Sequence, residues 1–437
     1  MNIELLTILI IVSFLVLLAL GLPVAFCLLG LSMMLTATFI GPMQAQVAYT
    51  AIFHTITLDI YIAIPLFIFM AAVLQNSGIG TALYDVMYKW FAGLRGGLAI
   101  GSVVIATLIA AMTGLGGTDV VIMGMLAYPE MKKRGYEKSI AIGCIPAGGA
   151  LGPHIPPSVL MILIGGLASL SVGRLFMGGL FPGLLMSFLF IAYIGIRCWR
   201  QPHLAPALPI EERAAWRDKF VSLRGVVLPI ILIFSVLGTI YLGVCTPSEA
   251  GGVGAFGALI CAAVHRQLNW QNLKEMTFTA LRVTCMVMWL LMGGTFFASF
   301  LTMTGVSHFI SGTIVGMEVS PIVVVVVMMI IALVMGMFMD GAAITMVCIP
   351  IFMPVIFEIG IDPLWFALLF TINMIIGYIS PPFGMNVFYT KGILPSDVTM
   401  GDIYRSVIPY TLLMLIVLIV AIIFPPLLLW LPNMMIK

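Results

Sequence analysis

Uncharged stretches too long for a soluble fold run through this chain of 437 residues. Asp, Glu, Lys and Arg are absent from 5–58, 60–84, 96–118, 139–173, 175–196, 225–248, 283–317 and 406–436. About 20 apolar residues cross a bilayer as a helix, and backbone in lipid must bond to itself as a helix or a closed barrel. A barrel would read as short alternating segments, which these are not. Charged residues make up 8% of the chain, against roughly 25% in a soluble domain. The expected class is an all-α polytopic membrane protein embedded in a lipid bilayer. The first apolar run, Leu5–Leu20, lacks a basic segment and is followed directly by more spans, so it reads as a retained span rather than a cleaved signal. Seven cysteines without a CxxC pair read as small buried hydrophobes. No HExxH, Walker loop or GxGxxG occurs, and nothing marks a nucleic-acid partner or an organic cofactor.

Charge placement sets an expected orientation. The basic residues cluster at Lys89 and Arg95; at Lys132, Lys133, Arg134 and Lys138; at six positions within 197–224; at Arg266, Lys274 and Arg282; and at Lys391 and Arg405. Together these are 17 of the 19 Lys and Arg residues. Putting all 17 in the cytoplasm follows the positive-inside rule. Segment 97–130 then enters from the cytoplasm and returns there, 139–173 crosses outward, 175–196 crosses back, and the linker 197–224 lies inside. Both termini and the loop at Glu358 and Asp362 fall outside.

The second half repeats the first, weakly but in order. "LPVAFCLLG" (22–30) pairs with "TPSEAGGVG" (246–254), "VLQNSG" (73–78) with "FLTMTG" (300–305), Asp119 with Asp340, and Pro156-Pro157 with Pro381-Pro382. Leu83, Val86, Met87, Trp90, Phe91 and Leu94 form an apolar helical stripe. Val306, Phe309, Ile310, Thr313, Ile314 and Met317 repeat its spacing. Both stripes predict helices lying along the membrane surface, with plain loops between spans as the alternative. The domains expected are a first repeat over 1–196, with a hairpin near 97–130 and a broken helix near 139–173, and the linker 197–224. A second repeat follows over 225–437, with a hairpin near 319–357 and a broken helix near 363–391. Five crossings and one re-entrant segment per half would make the repeats inverted, which is the signature of secondary transporters.

"LGPHIPPSVL" (151–160) breaks an apolar span at mid-depth. Prolines remove backbone donors and push the preceding residue out of the helical region. The helix should end near Leu151 and restart near Pro157, with proline at the first helical position. Irregular backbone at membrane depth survives where it lines a cavity or is buried in protein. Freed carbonyls there can bind a cation, and a helix N-terminus can face an anion. "GYISPPFGMN" (377–386) should do the same; a kink used only for packing is the alternative.

Two further segments read as hairpin tips. "AAMTGLGGTDV" (110–120) holds Thr113, Gly114, Gly117, Thr118 and Asp119, and "GMFMDGAAITM" (336–346) holds Asp340, Gly341 and Thr345. A carboxylate at membrane depth costs at least about 2.5 kcal/mol on insertion scales, so each Asp needs a partner. Cation ligand and helix cap are the two roles open to Asp119 and Asp340. Glu249 after "CTPS" suits a helix cap. His154 either touches substrate, carries a proton or is an ordinary hydrogen bonder.

The stretches "MKKRGYEKSIAIG" with "GGALGPHIPPS", "TPSEAGGVGAFGAL" and "GYISPPFGMN" resemble the large membrane subunit of tripartite ATP-independent periplasmic (TRAP) transporters, the DctM-type permease, over essentially the whole chain. The resemblance implies a sodium-coupled elevator transporter in a bacterial or archaeal inner membrane, with both termini periplasmic. It also implies a small four-helix membrane partner, a periplasmic substrate-binding protein, and organic-acid substrates held by carboxylate. Carried over residue by residue, one sodium site would use backbone around Thr113–Asp119 and Gly152–Ser158, including His154, Pro156 and Pro157. The other would use backbone around Met339–Thr345 and Ser380–Asn386, including Pro381 and Pro382. The family pattern Ser-Gly-Ser-Ser-x-Ala-Asp is Thr-Gly-Leu-Gly-Gly-Thr-Asp here, so Leu115 and Gly116 lack the hydroxyls and only backbone ligation carries over there. A stand-alone sodium:dicarboxylate symporter, a channel, and an intramembrane aspartyl enzyme using Asp119 and Asp340 are the rival readings.

Overall fold

The computed structural model describes residues 2–41, 45–114 and 116–435. Among them, every regular element is a helix. The first group is α1 (Ile3–Ala19), α2 (Val24–Leu35), α3 (Ala45–Ile56), α4 (Ala63–Asn76) and α5 (Ile79–Phe91). Then come α6 (Gly97–Thr113), α7 (Thr118–Lys133), α8 (Lys138–Ala150), α9 (Val159–Leu167) and α10 (Val172–Arg200). The linker leads into α11 (Trp216–Tyr241), α12 (Pro247–Val264), α13 (Trp270–Met303), α14 (Val306–Gly316) and α15 (Pro321–Gly336). The last are α16 (Gly341–Glu358), α17 (Pro363–Ile379), α18 (Met385–Ile393), α19 (Met400–Ile423) and α20 (Pro426–Asn433).

Seven helical segments among the described residues are long and apolar enough to cross a membrane. Their outer faces carry large apolar side chains such as Ile231, Phe234, Leu412 and Ile416, an arrangement suited to lipid and not to water. α17 differs, because every residue from Leu364 to Ile379 is buried. A helix apolar all round belongs at the centre of its protein, and α17 packs there against α15 and α19.

Local signals set the helix ends. Gly78 and Gly305 adopt left-handed φ values of 75° and 76° and start α5 and α14. Thr246 and Glu249 form a reciprocal capping box at α12, so Glu249 takes the capping role. α5 packs inward through Ile79 and through Leu83 and Val86 of its stripe. α14 is helical over most of the second stripe and buries Val306, Ser307 and Ser311. Its Ile310, Ile314 and Met317 instead line an apolar crevice of about 1500 Å3 between α1, α2, α13, α15 and α16.

The basic loops share one end of the molecule. Lys132 pairs with Asp397 at 3.0 Å and Lys138 with Asp402 at 3.7 Å. Arg134 bonds Glu212 of the linker at 2.9 Å. Linker carbonyls of Leu204 and Ala205 accept from Glu137 N and Gly96 N. The Lys132 ammonium beside Asp397 holds that carboxyl below its ordinary range.

Candidate functional site

The first tip lies between α6 and α7. Gly114 closes α6 at φ +59°, and Gly117 precedes α7 at φ +95°. A β-carbon on Gly114 would collide with the carbonyl of Pro157. The Gly114 carbonyl accepts from Val159 N at 3.4 Å, so this tip and the first broken helix hold each other through backbone. Gly116 lies against Tyr378 and Pro153, and Gly117 against the ring of Tyr389. Leu115 and the side chain of Thr118 lie outside the described residues.

The first break runs from Leu151 to Ser158, between α8 and α9, and is wholly buried. Its Pro156-Pro157 bond is cis, as is Pro381-Pro382. The restart corrects the sequence expectation: proline does not take the first helical position. Ser158 is the cap, accepting from Met161 N at 3.3 Å and donating to the Pro153 carbonyl. A serine hydroxyl can satisfy an end N–H of the new helix, which a proline ring cannot. Gly152 lies in the turn at the start of the break. His154 is buried, with Nδ1 3.0 Å from the hydroxyl of Thr371 on α17. That hydroxyl donates to Leu368 O at 2.8 Å, so the ring donates from Nδ1. Nε2 has no partner among the described residues.

The two tip carboxylates are held differently. Asp119 is fully buried in the first turn of α7. Gly117 holds the capping position of α7, and among the described residues Asp119 accepts no end N–H of its helix. Its recorded partner is the Thr113 hydroxyl across the tip, at 3.1 and 3.4 Å from its two oxygens. Asp340 is a helix cap, accepting from Ala342 N at 3.0 Å. Its other oxygen accepts from the Tyr378 hydroxyl at 3.2 Å.

The second break, Ser380 to Gly384, separates α17 from α18. Pro381, Pro382 and Phe383 are exposed, unlike their counterparts in the first break. Tyr404 donates to the Pro382 carbonyl at 2.5 Å. Ser380 and Thr345 donate to carbonyls of their own helices, Ile376 O and Gly341 O, each at 2.7 Å. Gly384 N closes the loop onto Ser380 O at 3.0 Å, and Met339 sits in the turn before the Asp340 cap. Asn386 reaches the other broken helix, donating to Pro146 O at 3.2 Å; its own side-chain oxygen is buried without a partner among the described residues.

A cavity of about 330 Å3 brings the two tips together. Gly114, Gly116, Gly117 and Pro153 line it from the first half; Asp340, Ala342, Tyr378 and Tyr389 line it from the second. α4 and α13 close it with Gln75, Thr279 and apolar side chains. No Lys or Arg lines it among the described residues. Thr113, Asp119 and His154 are not among its lining residues. Sequence reasoning missed Tyr378, Tyr389 and Thr371. Tyr378 stood inside the quoted "GYISPPFGMN", two residues before the break, and that adjacency was the available signal.

Comparison with known proteins identifies the family. Residues 11–427 match the family described as "Tripartite ATP-independent periplasmic transporter, DctM component". The chain is 31% identical over 406 residues to the C4-dicarboxylate TRAP transporter large permease protein DctM of Pseudomonas aeruginosa, covering 93% of each. It is 30% identical over 410 residues to the isethionate TRAP transporter permease protein DctMQ of Oleidesulfovibrio alaskensis, covering 92% of this chain and 62% of that one. Among solved structures, the Alcanivorax borkumensis YdaH transporter shares the fold with a TM-score of 0.65 at 14% identity, covering 94% of this chain and 97% of that one.

Proposed function

Because the chain belongs to the tripartite ATP-independent periplasmic transporter DctM family, we propose that it is the large permease of a sodium-coupled importer of small organic acids, working by an elevator movement. The observation that carries this is a cavity shared by the two tips, each backed by a broken helix and an Asp, Asp119 buried and Asp340 partly buried. Broken helices meeting at one site are how secondary transporters coordinate ions and substrate at membrane depth. The repeats are taken as inverted, with the basic end cytoplasmic.

The two carboxylates divide the work. Asp340 caps α16, and its charge is already met by Ala342 N–H and the Tyr378 hydroxyl. Among the described residues, the buried Asp119 carboxylate has one neutral donor, the Thr113 hydroxyl. A buried carboxylate so poorly paired calls for a cation, and sodium beside Thr113 and Asp119 supplies one. The backbone of Gly152, Met339 and Ser380 contributes to the ion sites. With no Lys or Arg in the cavity wall, a substrate carboxylate is met by backbone N–H groups, hydroxyls and the bound sodium. The C4-dicarboxylate and isethionate named for the relatives are both small acids, which fits a cavity of about 330 Å3. A small four-helix membrane subunit and a periplasmic binding protein complete the assembly.

The test is uptake into proteoliposomes holding this chain and its small partner. Uptake that needs both an inward sodium gradient and the binding protein supports the reading. Sodium-driven uptake without the binding protein would point to a stand-alone symporter instead.

A further inference from the structure

We propose that Tyr378 is a positioning residue that couples the two tips, so that a displacement at one is transmitted to the other. The side chain is held at three points. At its base, α17 crosses α15 through Gly377 and Gly336, so closely that a β-carbon on Gly377 would come within 2.9 Å of Gly336 backbone. The Tyr378 backbone therefore has no room to shift sideways. Along its length, the ring lies against the first tip: a β-carbon on Gly116 would sit 2.9 Å from ring carbon Cε2 and 3.1 Å from Pro153. At its end, the hydroxyl accepts from Gly341 N at 3.1 Å and donates to Asp340 Oδ1 at 3.2 Å.

These contacts give the hydroxyl two tasks. It orients the Asp340 carboxylate so that the other oxygen reaches Ala342 N, and it satisfies the first N–H of α16. The same ring forms cavity wall between Gly116 and Asp340. A rigid ring pinned at its base cannot yield to Gly116 without moving its hydroxyl. An occupant that presses on the first tip thus disturbs the cap of the second, and the reverse holds. Tyr378 needs no contact with substrate to do this; it sets where both tips stand. This coupling deepens the transporter reading and rests on it only for the choice of ion as one readout.

Coupling between residues that share a partner shows as non-additivity in a double-mutant cycle, which is the direct evidence for transmission. The cycle takes Gly116→Ala, Asp340→Asn and the pair, each in the native background and with Tyr378→Phe. The purified subunit is reconstituted with its small partner and binding protein. Half-saturating sodium for uptake and the melting temperature are measured for every variant. If each single change raises half-saturating sodium about 10-fold, the pair in the native background should also stay near 10-fold, against about 100-fold for independent sites. With Tyr378→Phe the two changes should multiply. A residue that only supported folding would lower the amount of active transporter and leave half-saturating sodium unmoved. Multiplicative effects in the native background would overturn the proposal. Should uptake not depend on sodium, the transporter reading fails, while the melting-temperature cycle still decides the coupling: shifts that simply add in the native background overturn it. If Gly116→Ala does not fold, Pro153→Ala loosens the same wall and takes its place, with the same two outcomes.

Discussion

Asp119 and Asp340 stand at equivalent places, each at the start of the helix that follows a tip, yet their surroundings differ. Asp340 is the capping residue itself, so an end N–H of its helix reaches it directly. Asp119 sits two residues further along than the capping position, held by Gly117, and its carboxylate turns across the tip to Thr113. A shift of two residues separates a structural cap from a buried carboxylate with one neutral partner among the described residues. The breaks differ in the same sense. The first is sealed within the protein, whereas Pro381 to Phe383 of the second are exposed. One half is tied down and closed at its break; the other is capped at its tip and open at its break.

The largest contrast should come from neutralising the two acids. Asp119→Asn is expected to cut sodium-dependent uptake at least about 100-fold, or about 2.8 kcal/mol, with little change in folded protein in the membrane. Asp340→Asn keeps an amide oxygen for the cap and should cost only about 10-fold. Equal losses for both would dissolve the distinction, and parallel immunoblots of membrane fractions separate folding from transport.

Glycine replacements come next. Gly114→Ala forces a β-carbon into the Pro157 carbonyl at a left-handed φ, so folded protein should fall severalfold. Gly341→Ala meets only the Tyr378 hydroxyl, at 2.7 Å, and should cost less. Size-exclusion profiles of the detergent-extracted variants rank them. A third comparison uses Thr113. Thr113→Val leaves Asp119 without its donor and should raise half-saturating sodium about 10-fold, while Thr113→Ser should lie close to the native value.

The smallest effect belongs to the basic end. Asp397 is held below its ordinary value by Lys132, so its pairing supports the fold above the ordinary carboxylate value of 3.8 and is lost as pH falls through the lowered one. Asp397→Asn should therefore lower the melting temperature slightly at neutral pH, and the two proteins should converge in acid below that value. Neither carboxylate of the tips shares this exposure, so the pair at the basic end also serves as a reference for purely structural change.

Much of this was legible in the sequence for identifiable reasons. Paired prolines in uncharged spans cannot continue a helix, so both breaks and their places were readable. Glycines beside a lone Asp marked both tips. The capping role of Glu249 was readable from an acid at a helix start after "CTPS", and the structure adds its partner Thr246. The division between Asp119 and Asp340 was not readable, because it depends on which residue caps, a matter of one or two positions. Ser158 took the cap that the prolines were expected to lead for the same reason. Tyr378 and Thr371 escaped notice because an aromatic or hydroxyl residue in an apolar run looks like ordinary core. Their partners lie far off in sequence: Asp340 is 38 residues from Tyr378, and His154 is 217 from Thr371.

The most direct measurement is equilibrium binding of radioactive sodium to the purified subunit in lipid nanodiscs, for the native chain, Asp119→Asn and Asp340→Asn. Saturable binding should be present in the native protein, abolished or severely weakened by Asp119→Asn, and only modestly weakened by Asp340→Asn. Binding that survives Asp119→Asn unchanged, or that falls equally in both variants, would contradict the assignment of the buried charge of the first tip to the ion.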